Sequence, residues 1–394
     1  MGPLHDVKVL ELGQLIAGPF CTRVMAEFGA QVTKIETPEV GDPLRKWRKL
    51  YKDKSLWWLL QGRNKKSITI NLKSTEGQKI VRRLVKEVDV VVENFRPGAM
   101  EKWGLGYEDL SKENPGLVMV RLSGYGQTGP YKDKPGFGSI GEAMGGLRHV
   151  TGYPDRPPVR VGVSLGDAIA SLYGVIGALM ALKQKESSGK GQVVDVALYE
   201  AVFSLMESMV PEYDYHDFIR ERTGSTLPGI APSNSYITKD EKYVVIGANG
   251  DSIFKRMMVA IGRDDLANAP DLAHNDGRAA RSDELDQVIG AWCRSHDMDH
   301  VLAILDDANV PSGKIYDVAD IVSDVHYRAR DMIQKFKLSD DESIMVPGVV
   351  PKLSATPGEI NWLGPDLGEH TIETLTHLGY SKKDIDDLRN RKII

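Results

Sequence analysis

The stretch "VKVLELGQLIAGPFCTRVMAEFGAQVTKIE", residues 7–36, decides the fold. Its first six residues, "VKVLEL", predict a buried strand, and "QVTKIE" (31–36) predicts a second one. Between them, "PFCTRVMAEFGA" (19–30) predicts a helix that begins at a proline and ends near Gly29. Alternation of strand, helix and strand is typical of a parallel sheet covered by helices, so this stretch predicts an α/β protein.

The same alternation continues over the first two hundred residues. Further strands are predicted at 66–72, 88–94 and 116–123, and a helix at 75–86. A long apolar helix is predicted at 168–183, and because it is apolar nearly all round we expect it to be buried. Ligands of such sheets bind beyond the carboxyl ends of the strands, so a binding site is expected there.

The remainder of the chain has a different organisation. "SYITKDEKYVVIGANG" (235–250) predicts two strands joined by a polar turn, and helical patterns follow it. These elements indicate a smaller α+β domain. The region 346–368 is rich in proline and glycine and predicts extended surface chain, and a short charged helix is expected at the end of the sequence.

Composition excludes several classes of function. The chain of 394 residues carries a formal net charge of −5 and has no long basic run, which argues against nucleic-acid binding. Two cysteines indicate a reducing compartment rather than a disulfide framework. The first residues do not resemble a signal peptide, and the longest apolar run (168–182) is short for a membrane span. We therefore expect a cytoplasmic protein with no membrane association that acts on a small molecule.

Two motifs suggest chemistry that their surroundings do not support. "GYGQTG" (124–129) matches a dinucleotide-binding pattern, but the prolines that follow it cannot begin the required helix, so a glycine-rich loop is expected. His296 and His300 have a spacing that can bind metal on a helix. Since the zinc-protease glutamate is replaced by Asp297, an exposed polar helix face is the better interpretation, and no metal site is predicted.

One carboxylate has two compatible interpretations. In "VGVSLGDAIASLYG" (161–174), Asp167 precedes the apolar helix and could cap it by accepting hydrogen bonds from the first turn. An aspartate is ionised at neutral pH, so it could also act as a nucleophile without a general base. The residues alone leave both roles open.

Five segments occurring in order resemble a known family. They are "LELGQLIAGPFCTRVMAEFGAQVTKIETPEVGDPLR" (10–45), "NKKSITINLKSTEG" (64–77), "VVENFRPGAMEKWGLGYEDL" (91–110), "SGYGQTGP" (123–130) and the "GD" that ends at Asp167. Together they resemble the family III CoA-transferases, which include formyl-CoA transferase and carnitine CoA-transferase. The resemblance implies that Asp167 attacks an acyl-CoA thioester, forms a mixed anhydride, becomes an aspartyl-CoA thioester, and passes CoA to an acceptor carboxylate.

The resemblance also implies the architecture and the substrates. It implies a Rossmann-like large domain from both chain ends (1–210 and 325–394), a linker (211–224), a small domain (225–324) and an interlocked homodimer. CoA esters are then substrates, and no tightly bound cofactor is expected. "GYGQTGP" and "PVRVGV" resemble members that use succinyl-CoA, so a small dicarboxylic acid is the expected acceptor.

Site residues follow from matching positions. The implied CoA contacts come after two strands of the sheet: Asn71, Leu72, Lys73, Asn94, Phe95, Arg96 and Lys102. The resemblance leaves open whether Thr37 or Arg45 contacts CoA. Oxyanion donors are expected from the start of the 168–183 helix and from "GANGD". Candidates for the acyl site, the oxyanion site and the substrate carboxylate are Ile16, Phe137, Gly247, Gly250, Glu142 and Arg160.

Two alternatives remain at this point. An α-methylacyl-CoA racemase shares the fold and the aspartate, but it needs a second acid/base group. Phe137 and Gly138 stand where racemases have histidine and an acid, which favours the transferase, although Glu142 could act as an acid or base. The more remote alternative is an acyl-CoA-binding protein without catalytic activity.

Overall fold

The computed structural model describes residues 2–394. Its strands are β1 (Lys8–Glu11), β2 (Gln31–Glu36), β3 (Leu50–Tyr51), β4 (Lys54–Ser55), β5 (Lys65–Thr69), β6 (Val90–Glu93), β7 (Val118–Ser123), β8 (Val193–Ala197), β9 (Ser233–Ile237), β10 (Tyr243–Gly247), β11 (Ser312–Lys314), β12 (Ile333–Lys337) and β13 (Ser343–Pro347).

The α-helices are α1 (Ala17–Glu27), α2 (Leu56–Gln61), α3 (Thr75–Val85), α4 (Ala99–Lys102), α5 (Tyr107–Glu113), α6 (Gly138–Met144), α7 (Leu165–Ser188), α8 (Leu198–Phe203), α9 (Met209–His216), α10 (Asp251–Ala260), α11 (Asp264–Ala267), α12 (Asn275–Ala280), α13 (Ser282–Arg294), α14 (Met298–Asp307), α15 (Val318–Ser323), α16 (Val325–Ala329), α17 (Thr371–His377) and α18 (Lys382–Asn390). Short 3₁₀ helices occur at Pro43–Lys46 and Pro270–Leu272.

A parallel sheet of six strands organises the larger part of the molecule, with the order β5-β2-β1-β6-β7-β8. The prediction of a mostly parallel α/β sheet is confirmed. Each of the five strands predicted from the sequence up to residue 123 is present, while β8 was missed. The chain adds strands outward from β1 in one direction and then from β6 in the other. The switch point between β1 and β6 is where such folds bind ligands.

The sheet is covered on both faces. One apolar core contains side chains from α3, α5, α17 and α18, and the other contains side chains from α1, α7 and α8. Because both faces are buried, β6 and β7 consist almost wholly of buried residues, as expected for central parallel strands.

The prediction that the long apolar helix is buried all round is wrong. α7 turns a face of small residues, including Ala170, Gly174 and Ala178, toward the protein. Leu172, Ile176 and Met180 are exposed, and Met180 keeps 68% of its surface accessible. By length and composition, α7 is also the one helix among residues 2–394 that could cross a membrane.

The described chain divides into two compact units. Of the described residues, the larger unit comprises 2–147, 161–217 and 329–394, and the smaller one comprises 148–160 and 218–328. Residues 211–216 of the expected linker belong to α9. In the smaller unit, β9, β10 and β11 form an antiparallel sheet, and the predicted hairpin at 235–250 is present as β9 and β10.

The C-terminal chain covers the outer edge of the larger sheet. β5 is the edge strand, and its backbone N–H groups at Ser67 and Thr69 donate to His370 Nδ1 (3.2 Å) and Thr371 Oγ1 (3.0 Å). The carbonyl of Lys65 accepts from Trp362 Nε1 at 3.0 Å. An edge that would otherwise expose unpaired backbone groups is therefore satisfied by distant sequence.

Candidate active site

Asp167 is the third residue of α7, so the prediction that it caps the helix is wrong. The N-cap is Ser164, whose side chain makes no capping hydrogen bond. The N–H of Gly166 instead donates to Oε1 of the buried Glu142 at 3.3 Å. Asp167 itself is half-buried in the first turn, where the helix dipole stabilises a negative charge.

The carboxylate of Asp167 lies directly against the backbone of Gly138, the first residue of α6. A Cβ atom at Gly138 would overlap Oδ2 of Asp167 and would lie 2.7 Å from its Cγ and 3.1 Å from its Oδ1. Any side chain at position 138 would therefore displace the carboxylate or α6. The glycine that replaces the racemase acid is a steric requirement of this arrangement.

Ser171 connects Asp167 to the start of α1. The buried Ser171 Oγ lies 2.8 Å from the carbonyl oxygen of Ala17 and 2.6 Å from that of Asp167, one turn earlier in α7. Ile16 is the N-cap residue of α1 and precedes Ala17 directly. The fold thus brings the first turn of α1, with the expected acyl-site residue Ile16, to the first turns of α7.

The expected oxyanion donors at the helix start are engaged within the protein. The N–H of Leu165 donates to the carbonyl of Val163 at 3.0 Å, and that of Gly166 donates to Glu142. The N–H of Gly247, which lies in the smaller unit, donates to Pro311 O at 2.9 Å. These three amides are therefore not available to an oxyanion in this conformation.

The remaining acyl-site candidates occupy different settings. Phe137 is the N-cap of α6 and 70% exposed, beside the contact between Gly138 and Asp167. Gly250 is the N-cap of α10 in the smaller unit, and Arg160 is an exposed residue of that unit.

A cavity of about 300 Å³ lies at the carboxyl ends of β1, β2, β5 and β6. Phe95 and Trp103 line it and pack edge to face, with ring centroids 5.1 Å apart. The other lining residues are Leu12, Gln14, Ile35, Glu36, Thr37, Ile70, Leu72 and Lys73. The cavity lies where the sheet topology predicts a ligand, and it contains Leu72, Lys73 and Phe95 of the expected CoA contacts.

Three of the expected CoA contacts are exposed cations near this edge of the sheet. Lys73 follows β5 and lines the cavity, Arg96 follows β6, and Lys102 ends α4. Within residues 2–394, none of the three has an ion-pair or hydrogen-bond partner through its side chain. Exposed cations without partners suit the phosphates of a nucleotide-containing substrate.

The two expected asparagine contacts support the backbone. Asn94 accepts from the N–H of Gln14 (2.7 Å) and donates to its carbonyl (2.8 Å), so its amide holds the loop after β1. Asn71 Oδ1 accepts from the N–H of Lys73 at 3.0 Å and shapes the turn after β5. The side-chain oxygens of both asparagines therefore hold the backbone of Gln14 and Lys73, two residues that line the cavity.

Of the pair left open by the sequence, Thr37 lines the cavity and Arg45 does not. The guanidinium of Arg45 donates to both carboxylate oxygens of Glu36 (2.7 and 2.8 Å) and to Pro365 O (3.1 Å). It also stacks over the ring of Trp58 at 3.8 Å. Arg45 is therefore held by the larger unit and is not directed to the cavity.

A buried ionic cluster supports the loop between β1 and α1. Glu11 accepts from Lys34 (2.7 Å) and Lys65 (2.8 Å), and Lys34 also contacts Asp42 at 2.9 Å. Burial alone raises the pKa of Glu11, but the two lysines lower it to about 2. Asp42 in turn accepts from the N–H of Leu15 at 3.1 Å, which fixes the loop that carries Ile16.

Several of these residues were missed by sequence reasoning. Ser171 and Asp42 contact residues that are distant in sequence, and although Asp42 lies within the resembling segment 10–45, nothing local to either residue indicates its partner. Trp103 could have been found, since it lies within the resembling segment 91–110 beside Lys102. The pair His296 and His300 stacks at 4.9 Å, and no group of three or more potential metal ligands occurs in residues 2–394.

Comparison with known proteins agrees with this geometry. The model of "CoA-transferase family III" matches residues 4–371. The chain belongs to this family. It is therefore a CoA-transferase, as the resemblance of its five sequence segments implied.

Similar proteins extend over the whole chain. The succinyl-CoA–D-citramalate CoA-transferase of Chloroflexus aurantiacus is 52% identical over 394 residues, which cover 100% of this chain and 98% of that protein. The beta subunit of the succinyl-CoA–L-malate CoA-transferase of the same organism is 42% identical, with 100% and 98% covered. The succinyl-CoA:mesaconate CoA-transferase of Haloarcula hispanica is 34% identical, with 96% and 97% covered.

A solved structure has the same fold. The crystal structure of a CaiB/BaiF family protein from Brucella suis is 32% identical and gives a TM-score of 0.84, covering 96% of this chain and 99% of that one. The match confirms the fold class, a parallel α/β domain with a smaller α+β part.

Proposed function

We propose that the protein transfers CoA from succinyl-CoA to a small dicarboxylic acid, with Asp167 as the nucleophile. The observation that carries the role of Asp167 is its position, half-buried in the first turn of α7 and against the bare backbone of Gly138. The substrate class is supported by the full-length similarity to transferases named for succinyl-CoA with citramalate, malate or mesaconate.

The exchange needs no proton transfer and no external energy source. An oxygen of Asp167 attacks the thioester carbonyl and expels CoA thiolate, which leaves a succinyl-aspartyl anhydride. The thiolate attacks the aspartyl carbonyl and releases succinate, which gives an aspartyl-CoA thioester. The acceptor carboxylate attacks that thioester and again expels the thiolate. Attack of the thiolate on the acceptor carbonyl then forms the new CoA ester and restores Asp167.

The cavity and the cations account for binding of the donor. Phe95 and Trp103 offer an apolar wall for part of the CoA moiety, and Lys73, Arg96 and Lys102 can pair with its phosphates. CoA is then a substrate of the enzyme and not a resident cofactor.

The position of Gly138 disfavours the racemase alternative. A racemase needs an acid or base on the side of the α-carbon opposite Asp167. An acidic side chain at position 138 would collide with Asp167 where it now lies. Glu142 is buried and already accepts from the N–H of Gly166, so it serves the helix start rather than a substrate proton.

Trapping the covalent intermediates tests the proposal. The protein is incubated with succinyl-CoA and hydroxylamine, and peptide mass spectrometry locates the hydroxamate. We expect modification at Asp167 and none in Asp167→Asn. In parallel, D-citramalate, L-malate and acetate are offered as acceptors, and CoA esters are separated by chromatography. Absence of a label at Asp167 would contradict the mechanism, and transfer to acetate alone would contradict the substrate class.

The proposal includes a homodimer in the cytoplasm. The homodimer is supported by the row of exposed apolar residues on α7, since a long apolar surface is costly to leave in water. The interlocked arrangement, the domain limits 1–210 with 325–394 and 225–324, and the roles of Arg160 and Gly250 remain part of this proposal.

A further inference from the structure

Two residues of α6 are in contact with the first turn of α7. Gly138 and Glu142 are four positions apart and therefore lie on the same side of α6, one turn from each other. Gly138 contacts the carboxylate of Asp167, while Glu142 contacts the preceding residue, Gly166. The adjacent residues Gly166 and Asp167 of α7 are thus each in contact with a residue on the same side of α6.

The packing at this contact leaves little space. A Cβ at Gly166 would lie 3.0 Å from the carbonyl oxygen of Gly138 and 3.1 Å from Cγ of Glu142. Glu142 is 1% exposed, and its Oε1 accepts from the N–H of Gly166, one of the amides that a helix start leaves without an intrahelical partner. A shift of the Glu142 side chain would therefore be transmitted to the backbone one residue before Asp167.

We propose that Gly138 and Glu142 are positioning residues that set the direction of attack of Asp167. Gly138 acts by having no side chain, which lets the carboxylate rest on the backbone of α6. Glu142 acts by accepting the hydrogen bond of Gly166, which holds the first turn of α7. The inference rests on the proposed function, because it assigns to both residues the orientation of the nucleophile.

The first test separates positioning by Glu142 from acid/base catalysis. Glu142→Gln keeps an oxygen that can accept from Gly166, whereas Glu142→Met has a similar size and no acceptor. We expect Glu142→Gln to keep kcat within about 3-fold of the wild type. Glu142→Met should lower kcat by about 10-fold or more while the KM for succinyl-CoA stays nearly constant, since an interaction that orients the nucleophile is removed. Equal loss of activity in both variants would overturn the inference in favour of a proton-transfer role.

The second test concerns Gly138. Gly138→Ala should lower kcat by about 100-fold, because displacement of a nucleophile by about 1 Å has effects of that size. The matched control is Gly162→Ala, since a Cβ at Gly162 meets no atom within 4 Å. Thermal unfolding shows whether each variant is folded. If Gly138→Ala is not folded, the comparison of Glu142→Gln with Glu142→Met decides whether the inference holds. Wild-type kcat in both Gly138→Ala and Glu142→Met would overturn the inference.

A labelling experiment distinguishes failure of this inference from failure of the proposed function. The rate of hydroxylamine labelling of Asp167 by succinyl-CoA is measured without any acceptor acid. If the wild type is labelled and the variants are labelled equally fast, only the inference fails. If the wild type itself is not labelled, the nucleophilic role of Asp167 and the inference both fail.

Discussion

At the scale of single residues, the edge of the sheet beside the cavity combines backbone that is held by asparagine side chains with cations that have no side-chain partner among residues 2–394. The side chains of Asn94 and Asn71 form hydrogen bonds with the backbone of Gln14 and Lys73, so they hold the loops at this edge without a ligand. Lys73, Arg96 and Lys102 have no such partners among residues 2–394. Charge on these three side chains is therefore available for a substrate and adds little to folding.

Charge reversal at Lys73 should weaken binding of the donor and leave the chemical step intact. We expect Lys73→Glu to raise the KM for succinyl-CoA by about 3- to 10-fold at low salt, with kcat changed little, because a phosphate contact is lost and a repulsion is gained. The effect should shrink as ionic strength rises, since an exposed charge is screened. Initial rates at two salt concentrations measure both effects.

Lys190→Glu provides the control for this prediction. Lys190 is also exposed, but it precedes β8 and lies at the amino-terminal edge of the sheet. The same rise in KM in both variants would show that overall charge, and not the edge near the cavity, controls binding.

Sequence reasoning identified residues that lie in linear motifs and missed those that act across the fold. Asp167 and Lys73 lie in such motifs, and the structure places Asp167 in the first turn of α7 and Lys73 in the turn after β5. Ser171 and Asp42 look like ordinary helix and turn residues, because their partners Ala17 and Leu15 come from a distant segment. Hydrogen bonds of this kind depend on tertiary packing, which a local pattern does not contain.

At the scale of secondary-structure elements, buried ion pairs of Glu11 with Lys34 and Lys65 connect β1 to β2 and β5. Its folded pKa of about 2 lies below the ordinary value of 4.5, so its stabilisation is complete above pH 4.5 and is lost as pH falls toward 2. We expect Glu11→Gln to lower the free energy of unfolding by about 3–5 kcal/mol at pH 6, because it breaks a buried pairing.

The pH dependence of this variant gives a sharper test. The difference in free energy of unfolding between wild type and Glu11→Gln should narrow by about 1 kcal/mol between pH 6 and pH 3.5, since only the wild type protonates position 11. Other carboxylates are common to both proteins and cancel. Urea unfolding at the two pH values measures the difference, and a gap that widens on acidification would contradict the lowered pKa of Glu11.

The burial of α7 was predicted wrongly because the positions of its apolar residues do not show which face is buried. Apolar residues occur on all sides of this helix, so its pattern does not distinguish a helix that is buried all round from one that is buried on one face only. What separates the two faces is size: Gly174, Ala178 and Ala181 face the sheet, while Leu172 and Met180 are exposed. Small residues allow close approach to the protein's own sheet, whereas the larger ones are exposed.

The proposed homodimer predicts that Met180→Asp weakens self-association, because Met180 is exposed on the outer face of α7. A carboxylate buried in an apolar interface without a partner costs several kcal/mol, so dimer affinity should fall by at least about 10-fold. Sedimentation velocity across a concentration series measures this. Val325→Asp is the control, because Val325 is an exposed apolar residue of the smaller unit, at the start of α16. Unchanged association in Met180→Asp would contradict an interface on this face of α7.

At the scale of the whole molecule, the C-terminal chain completes a sheet that was begun at the N-terminus. Thr371→Val keeps the shape of the side chain but removes the oxygen that accepts from the N–H of Thr69. We expect a loss of about 1–3 kcal/mol in the free energy of unfolding, the cost of leaving a buried N–H unsatisfied. Thr376→Val, at an exposed position of the same helix, should change it by no more than about 0.5 kcal/mol. Equal effects would contradict the covering role of Thr371.

This covering has a consequence for how the nascent chain folds. Thr69 and Thr371 are separated by 302 residues, which a ribosome adds in roughly 15–60 s at about 5–20 residues per second. During that interval the outer edge of β5 is bare on every growing chain, and neighbouring chains on one messenger present the same edge. Mispairing of β5 is therefore most favoured before the residues around Thr371 have been synthesised. Slower translation should then reduce the soluble yield unless a chaperone shields β5.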